Sequence, residues 1–149
     1  MCISLSGAGI IIFLYSTNWL WPEFNGSHHL GNNIYMIEWD GGPIIVQGTN
    51  IHGRTCYGGA YIIPYYNCNS IRKEHVVYAK YNKSWILIKT AMYNPYKYKY
   101  YIINKRFKEH EKPEIILSKF TDSFNDSISL VRYMQIHHII DTDMQTHQE

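Results

Sequence analysis

The chain has 149 residues, of which 46% are hydrophobic, 15% aromatic and 17% charged, with a net charge of +2. The length suits one domain. With 14 Tyr, 4 Trp and 5 Phe near charge neutrality, a disordered chain is excluded, as are collagen-like, coiled-coil and small disulfide-scaffold classes. No charged residue precedes Glu23, and residues 7–15 form the most hydrophobic run. That run is shorter than the roughly 20 apolar residues a spanning helix needs. It fits the apolar core of a secretory signal, which is about 7–15 residues long. A basic flank is missing in front of it, so the reading as a signal or anchor remnant (residues 1–18) carries the expectation of a longer leader. The alternative is a buried strand or helix of the domain itself. Trp19, Trp21 and Phe24 follow as an aromatic cluster, suited either to a membrane headgroup level or to packing on the domain.

From there to residue 104 the hydrophobic period is two, the signature of strands. Residues 34–39 and 44–47 flank Asp40-Gly41-Gly42-Pro43, whose Gly and Pro are turn formers, and this predicts a hairpin. Residues 57–63 predict a strand ending at Pro64, with Gly58 and Gly59 marking a bulge or a close backbone approach. Residues 75–81 and 84–90 predict two more strands about an Asn82-Lys83 turn, and residues 96–104 another after Asn94-Pro95. Within that last strand Tyr96, Tyr98 and Tyr100 point one way, toward the core, and Lys97 and Lys99 the other, into water. Lysines on an exposed edge also block edge-to-edge aggregation. Past Pro113 the period changes. Leu117, Phe120, Phe124, Ile128 and Val131 fall at helical spacing, with Asn125 or Asp126 as a candidate N-cap dividing two short helices. From Asp141 onward the chain is polar and is expected to fray.

The fold expected is α+β: an antiparallel meander of about five or six strands, with C-terminal helix packed on one face. One domain spans residues 19–140, and 141–149 is a polar tail. The expected core comprises Ile37, Trp39, Ile45, Tyr61, Val77, Trp85, Leu87, Tyr100, Ile102, Phe120 and Phe124.

Charge is unevenly distributed. Residues 1–71 carry −2, residues 72–112 carry +8 and residues 113–149 carry −4. The basic middle either meets an acidic partner or is neutralised by the chain's own acidic C-terminal segment. Lys97, Tyr98, Lys99, Tyr101, Lys105 and Arg106 have the composition of a basic-aromatic surface that binds single-stranded nucleic acid. A half-buried strand has the same alternation, and that is the preferred reading, so nucleic acid is not the expected partner.

Cys56 and Cys68 would form a disulfide if the domain is exported, and would be ordinary thiols otherwise. His52, Cys56, Cys68 and His75 are soft ligands, but their irregular spacing lacks the close pairs of a structural zinc site. Cys56 with His52 or His75 has no feature fixing a nucleophile–base geometry. Neither His28-His29 nor His137-His138 would chelate well as neighbours on a strand. No phosphate loop, dinucleotide fingerprint or nucleophile elbow occurs, and no cofactor is expected.

Several blocks carry a family resemblance: Trp21-Pro22-Glu23-Phe24, Gly31-Asn32-Asn33-Ile34-Tyr35, Trp39-Asp40-Gly41-Gly42 and Gly53-Arg54-Thr55-Cys56-Tyr57-Gly58-Gly59. Tyr100-Tyr101-Ile102-Ile103-Asn104-Lys105 and Thr121-Asp122-Ser123-Phe124 extend it. Together they resemble small uncharacterised exported or lipoprotein-like bacterial domains of unknown function. The resemblance implies an envelope location and an α+β domain, and it brings no catalytic residues. It breaks where a lipid-bearing Cys should stand, since Ser16 or Thr17 occupies that place. The expected function is therefore a non-enzymatic, envelope-associated binding or interaction domain. Its expected partner is a protein or envelope ligand, and residues 7–15 provide membrane association. The alternatives are a soluble cytosolic protein that neutralises a partner and, more distantly, a cysteine-dependent enzyme.

Overall fold

Period-two patterning through the middle of the chain becomes sheet, and the computed structural model describes residues 28–37, 42–48, 60–64, 74–93 and 96–148. Strands β1 (His28–Gly31), β2 (Ile34–Ile37), β3 (Ile44–Gln47) and β4 (Ala60–Ile63) form a four-stranded antiparallel sheet in sequence order. The expected hairpin is its centre: β2 pairs with β3, Ile34 opposite Gln47 and Ile37 opposite Ile44. Strands β5 (Glu74–Tyr81), β6 (Trp85–Tyr93), β7 (Tyr96–Asn104), β8 (Thr121–Phe124) and β9 (Gln145–Gln148) form a second antiparallel sheet, ordered β8-β7-β6-β5-β9. Among the described residues two helices, α1 (Pro113–Lys119) and α2 (Ser127–Ile136), complete an α+β fold.

The strands divide between two sheets because each sheet has an apolar face to bury. Leu30, Ile34, Met36, Ile45 and Ile62 of the first sheet join Val76, Ala79, Ile86, Ile88 and Ile103 of the second in one core, with Ile116 of α1 added to it. The outer face of the five-stranded sheet has its own cluster, where Leu87 and Ile102 meet Leu130 and Met134 of α2. The C-terminal helix thus covers one face, as expected, but through Leu130 and Met134.

Of the expected core, Ile37, Ile45, Tyr61, Leu87 and Ile102 are buried. Trp39 lies outside the described residues, as do Asp40, Gly41 and residues 57–59. Val77 is only half-buried, because a register shift between Val76 and Tyr78 turns Val76 inward instead. Trp85, Tyr100, Phe120 and Phe124 are half-buried as well. Trp85 packs beside the His137 ring at the margin of the α2 cluster, ring centroids 6.3 Å apart. We expect Trp85→Ala to cost about 2 kcal/mol in chemical denaturation, below the range for emptying a fully buried aromatic site.

Two further differences lie toward the C-terminus. The helical stripe through Leu117 and Val131 is interrupted by β8, where Thr121, Asp122 and Ser123 are poor helix formers and pair with β7. Helix α2 then restarts at Asp126, whose carboxylate accepts the Ser129 backbone N–H at 2.7 Å. The interruption resets the helical phase. Leu130 and Met134 face inward, while Ile128 and Val131 stand exposed. The tail beyond Asp141, expected to be irregular, forms regular structure within the described residues. A 3-10 turn over Asp141–Asp143 leads into β9, which pairs with Tyr78–Tyr81 of β5. The loop after β5 also includes Ser84, and the Asn82 side chain accepts from the Ser84 and Trp85 backbone N–H groups at 2.9 Å each.

Candidate binding face on the five-stranded sheet

Alternation along β7 sends Tyr96, Tyr98, Tyr100 and Ile102 to the outer face of the sheet. Helix α2 covers only the Tyr100–Ile102 end of that face. The other half carries Tyr78 of β5, Lys89 and Tyr93 of β6, and Tyr96 and Tyr98 of β7. Tyr96 is 68% exposed and Tyr98 40%. This reverses the expectation of a core-facing side chain for Tyr96 and Tyr98, which lie beyond the α2 cluster, while Tyr100 packs against that cluster.

The open half is an ordered set of rings and one cation. Lys89 Nζ lies 3.7 Å from the Tyr98 ring centroid and 5.9 Å from that of Tyr78. Tyr96 and Tyr98 meet edge to face at 5.4 Å, their hydroxyls 3.1 Å apart. Tyr93 stacks on His75 at 4.8 Å.

The edge beside these rings is also open. Strand β8 pairs with Tyr100–Ile103 of β7 and then leaves through Asn125 into α2. Among the described residues no strand pairs with residues 96–99 on that side. A cleft of about 690 Å³ occupies the fork, with Lys97, Tyr98, Lys99 and Tyr100 on one wall and Asn125 and Asp126 on the other.

The six residues of the expected basic-aromatic surface do not form one patch. Tyr98 stands on the outer face, while Lys97, Lys99 and Tyr101 project from the inner one. Lys97 is exposed, and Lys99 Nζ lies 4.8 Å from the Tyr101 ring centroid. The Tyr101 hydroxyl donates to Glu74 Oε1 at 3.1 Å, and the buried Thr90 hydroxyl donates to the same oxygen. Burial, with Glu74 alongside, pushes the Tyr101 phenol well above its ordinary range. Lys105 and Arg106 lie past the far end of β7. Lys80 and Asp141 form an ion pair at 2.6 Å that joins the basic middle to the acidic segment. Among the described residues, Lys89, Lys97 and Lys99 make no ion pair.

Lys105 is a structural group. Its ammonium donates to the carbonyls of Leu30 and of Asn82, the latter at 2.6 Å, and lies 5.5 Å from the Tyr81 ring centroid. Burial lowers its pKa to about 8. The Leu30 carbonyl lies in β1 just ahead of a tight β1–β2 turn in which Asn32 and Asn33 both have positive φ, 51° and 60°, the requirement of a type I′ hairpin. Gly31 precedes them at φ 93°, a conformation that favours glycine, and a Cβ there would sit 2.6 Å from Lys105 Nζ and displace the ammonium. Side-chain amides extend this contact. Asn32 donates to the Lys105 and Phe107 carbonyls at 3.0 and 2.9 Å. Fully buried Gln47 donates to the Glu109 and Glu111 carbonyls at 3.1 and 2.9 Å. Amides of one sheet thus satisfy the loop leaving the other. The Asn-Asn pair after glycine is the sequence signal for this turn, which strand periodicity alone misses.

Cys56, Cys68 and His52 lie outside the described residues. His75 stands on β5, and His137 stacks on Tyr133 at 4.1 Å. Among the described residues no cluster of three His, Cys, Asp or Glu side chains could hold a metal ion, and no helix is long and apolar enough to cross a membrane. No family model, curated protein or solved structure matches the chain.

Proposed function

We propose that the chain is a non-enzymatic binding module of the cell envelope, and that its contact surface is the open half of the outer face of the five-stranded sheet. The observation that carries this reading is the exposed pair Tyr96 and Tyr98 beside Lys89. Tyrosine offers large contact area at low entropic cost, and it is enriched in the centres of interfaces. Lys89 is already held between two rings, so little of its freedom remains to be lost on binding. A broad sheet surface suits contact with a macromolecule better than enclosure of a small reactant. The envelope location rests on the apolar run at residues 7–15 and on the resemblance to exported, lipoprotein-like domains.

Site-directed photocrosslinking in cells making the full-length protein tests both parts. With p-benzoylphenylalanine in place of Tyr98, adducts are expected in the envelope fraction. The same group in place of Ser118, exposed on α1, should give none. Equal adducts from both positions, or none from position 98, overturn the surface. Recovery wholly in the soluble cytosol overturns the location.

A further inference from the structure

We propose that the open edge of β7 accepts an extended acidic peptide as an additional strand, paired antiparallel to residues 96–99. This deepens the proposed function and rests on it, since Tyr98 belongs to both surfaces. The first ground is the direction of the backbone groups. Asn104 N–H donates to the Phe120 carbonyl, on the β8 side, and Lys105 N–H donates to the Ser84 carbonyl, on the β6 side. No register shift interrupts the β6–β7 pairing. Backbone groups alternate sides along a strand, so the N–H and C=O of Tyr98 and Tyr96 open toward the side that β8 has left. They stand ready for a strand that this chain does not supply among the described residues. The cleft between β7 and Asn125–Asp126 provides the room.

Charge selects the occupant. Lys97 and Lys99 flank Tyr98, and neither makes an ion pair among the described residues. A second copy of the same edge would bring lysine against lysine, which is how natural sheets prevent self-pairing. An acidic strand avoids lysine against lysine and gains two charge contacts, and the one carboxylate on the far wall, Asp126, is engaged by the Ser129 backbone N–H and hydroxyl. Strand addition then dictates a pattern. Residues opposite Tyr96 and Tyr98 share the outer face with the rings and should be apolar, while residues opposite Lys97 and Lys99 should be Asp or Glu. The apolar residues exchange both backbone bonds with β7, and the acidic ones point their N–H groups away.

Fluorescence anisotropy with a labelled octapeptide of alternating Glu and Val tests this on the intact protein. Binding with a Kd below about 1 mM is expected, weakened by salt. N-methylation of the Val amides should abolish it, and N-methylation of the Glu amides should leave it within about twofold. An alternating Lys and Val peptide should not bind. Lys97→Glu should weaken the Glu–Val peptide at least about tenfold, the size of a lost charge contact plus a new repulsion. Absence of binding, or equal sensitivity to the two methylation patterns, overturns strand addition. If the Tyr98 crosslink persists while the peptide fails, the contact face stands and the strand-addition mode falls. If both fail, the binding face itself is wrong.

Discussion

Replacing Gln47 with Leu is expected to destabilise the protein by about 3 kcal/mol, although the substitution adds apolar volume to the interior. Gln47 is 0% exposed, on the central hairpin of the four-stranded sheet, and its amide donates to the carbonyls of Glu109 and Glu111. Leucine is one bond shorter and branches a carbon earlier, and it removes both donors. Each orphaned carbonyl in a partly buried loop costs about 1–3 kcal/mol, against a small gain from burying the leucine side chain. Guanidinium denaturation should show a lower midpoint with an unchanged slope, since the area exposed on unfolding is the same. A loss under about 1 kcal/mol would mean that water replaces the amide at both carbonyls.

Lys105→Met should cost about 1–2 kcal/mol at neutral pH, because the Leu30 and Asn82 carbonyls lose their donor while relief of the ammonium's burial cost offsets part of that loss. It should also change how stability depends on pH. The Lys105 pKa falls from 10.5 in the unfolded chain to about 8 in the fold. Between these values the unfolded chain binds the extra proton, so stability rises with pH across this window. Burial raises the Tyr101 phenol pKa above its ordinary 10, which acts in the opposite sense. Above pH 10 the unfolded chain releases that proton first, and stability falls. The wild-type protein should therefore be most stable near pH 9–10 in the alkaline range. The variant should lack the rise above pH 8 and keep the fall. A rise of equal size in both proteins would assign the effect to another group.

Alternation was sufficient to read the central strands. The expected strand over residues 96–104 coincides with β7, because Tyr and Lys alternate over 96–100 and the strand formers Tyr101, Ile102 and Ile103 carry it on. The hairpin about residues 34–47 was legible from its turn residues. What could not be read is what depends on partners distant in sequence. Val77 looks as apolar as Val76, and only the bulge against β6 decides which turns inward. Ile128 and Val131 continue a helical spacing that begins in α1, yet four extended residues intervene and reset the phase. Of the binding face, the composition was visible in Tyr98, Lys97 and Lys99. Its shape was not, since it is set by where α2 stops and where β8 departs. Lys105 reads as one more surface cation until the β1–β2 turn is folded against it.

Strand β9 brings a different consequence. It is four residues long and is joined to the sheet by its pairing with β5, by the buried Met144 beside it and by the Lys80–Asp141 ion pair. So small a unit has a low opening free energy of its own, far below that of the interior strands. Backbone amides of β5 that bond to β9 should then exchange with deuterium on the schedule of that strand lifting away. Those that bond to β6 should wait for the whole sheet to open. Adjacent residues between Tyr78 and Tyr81 would thus report two different clocks, giving one strand a fast side and a slow side.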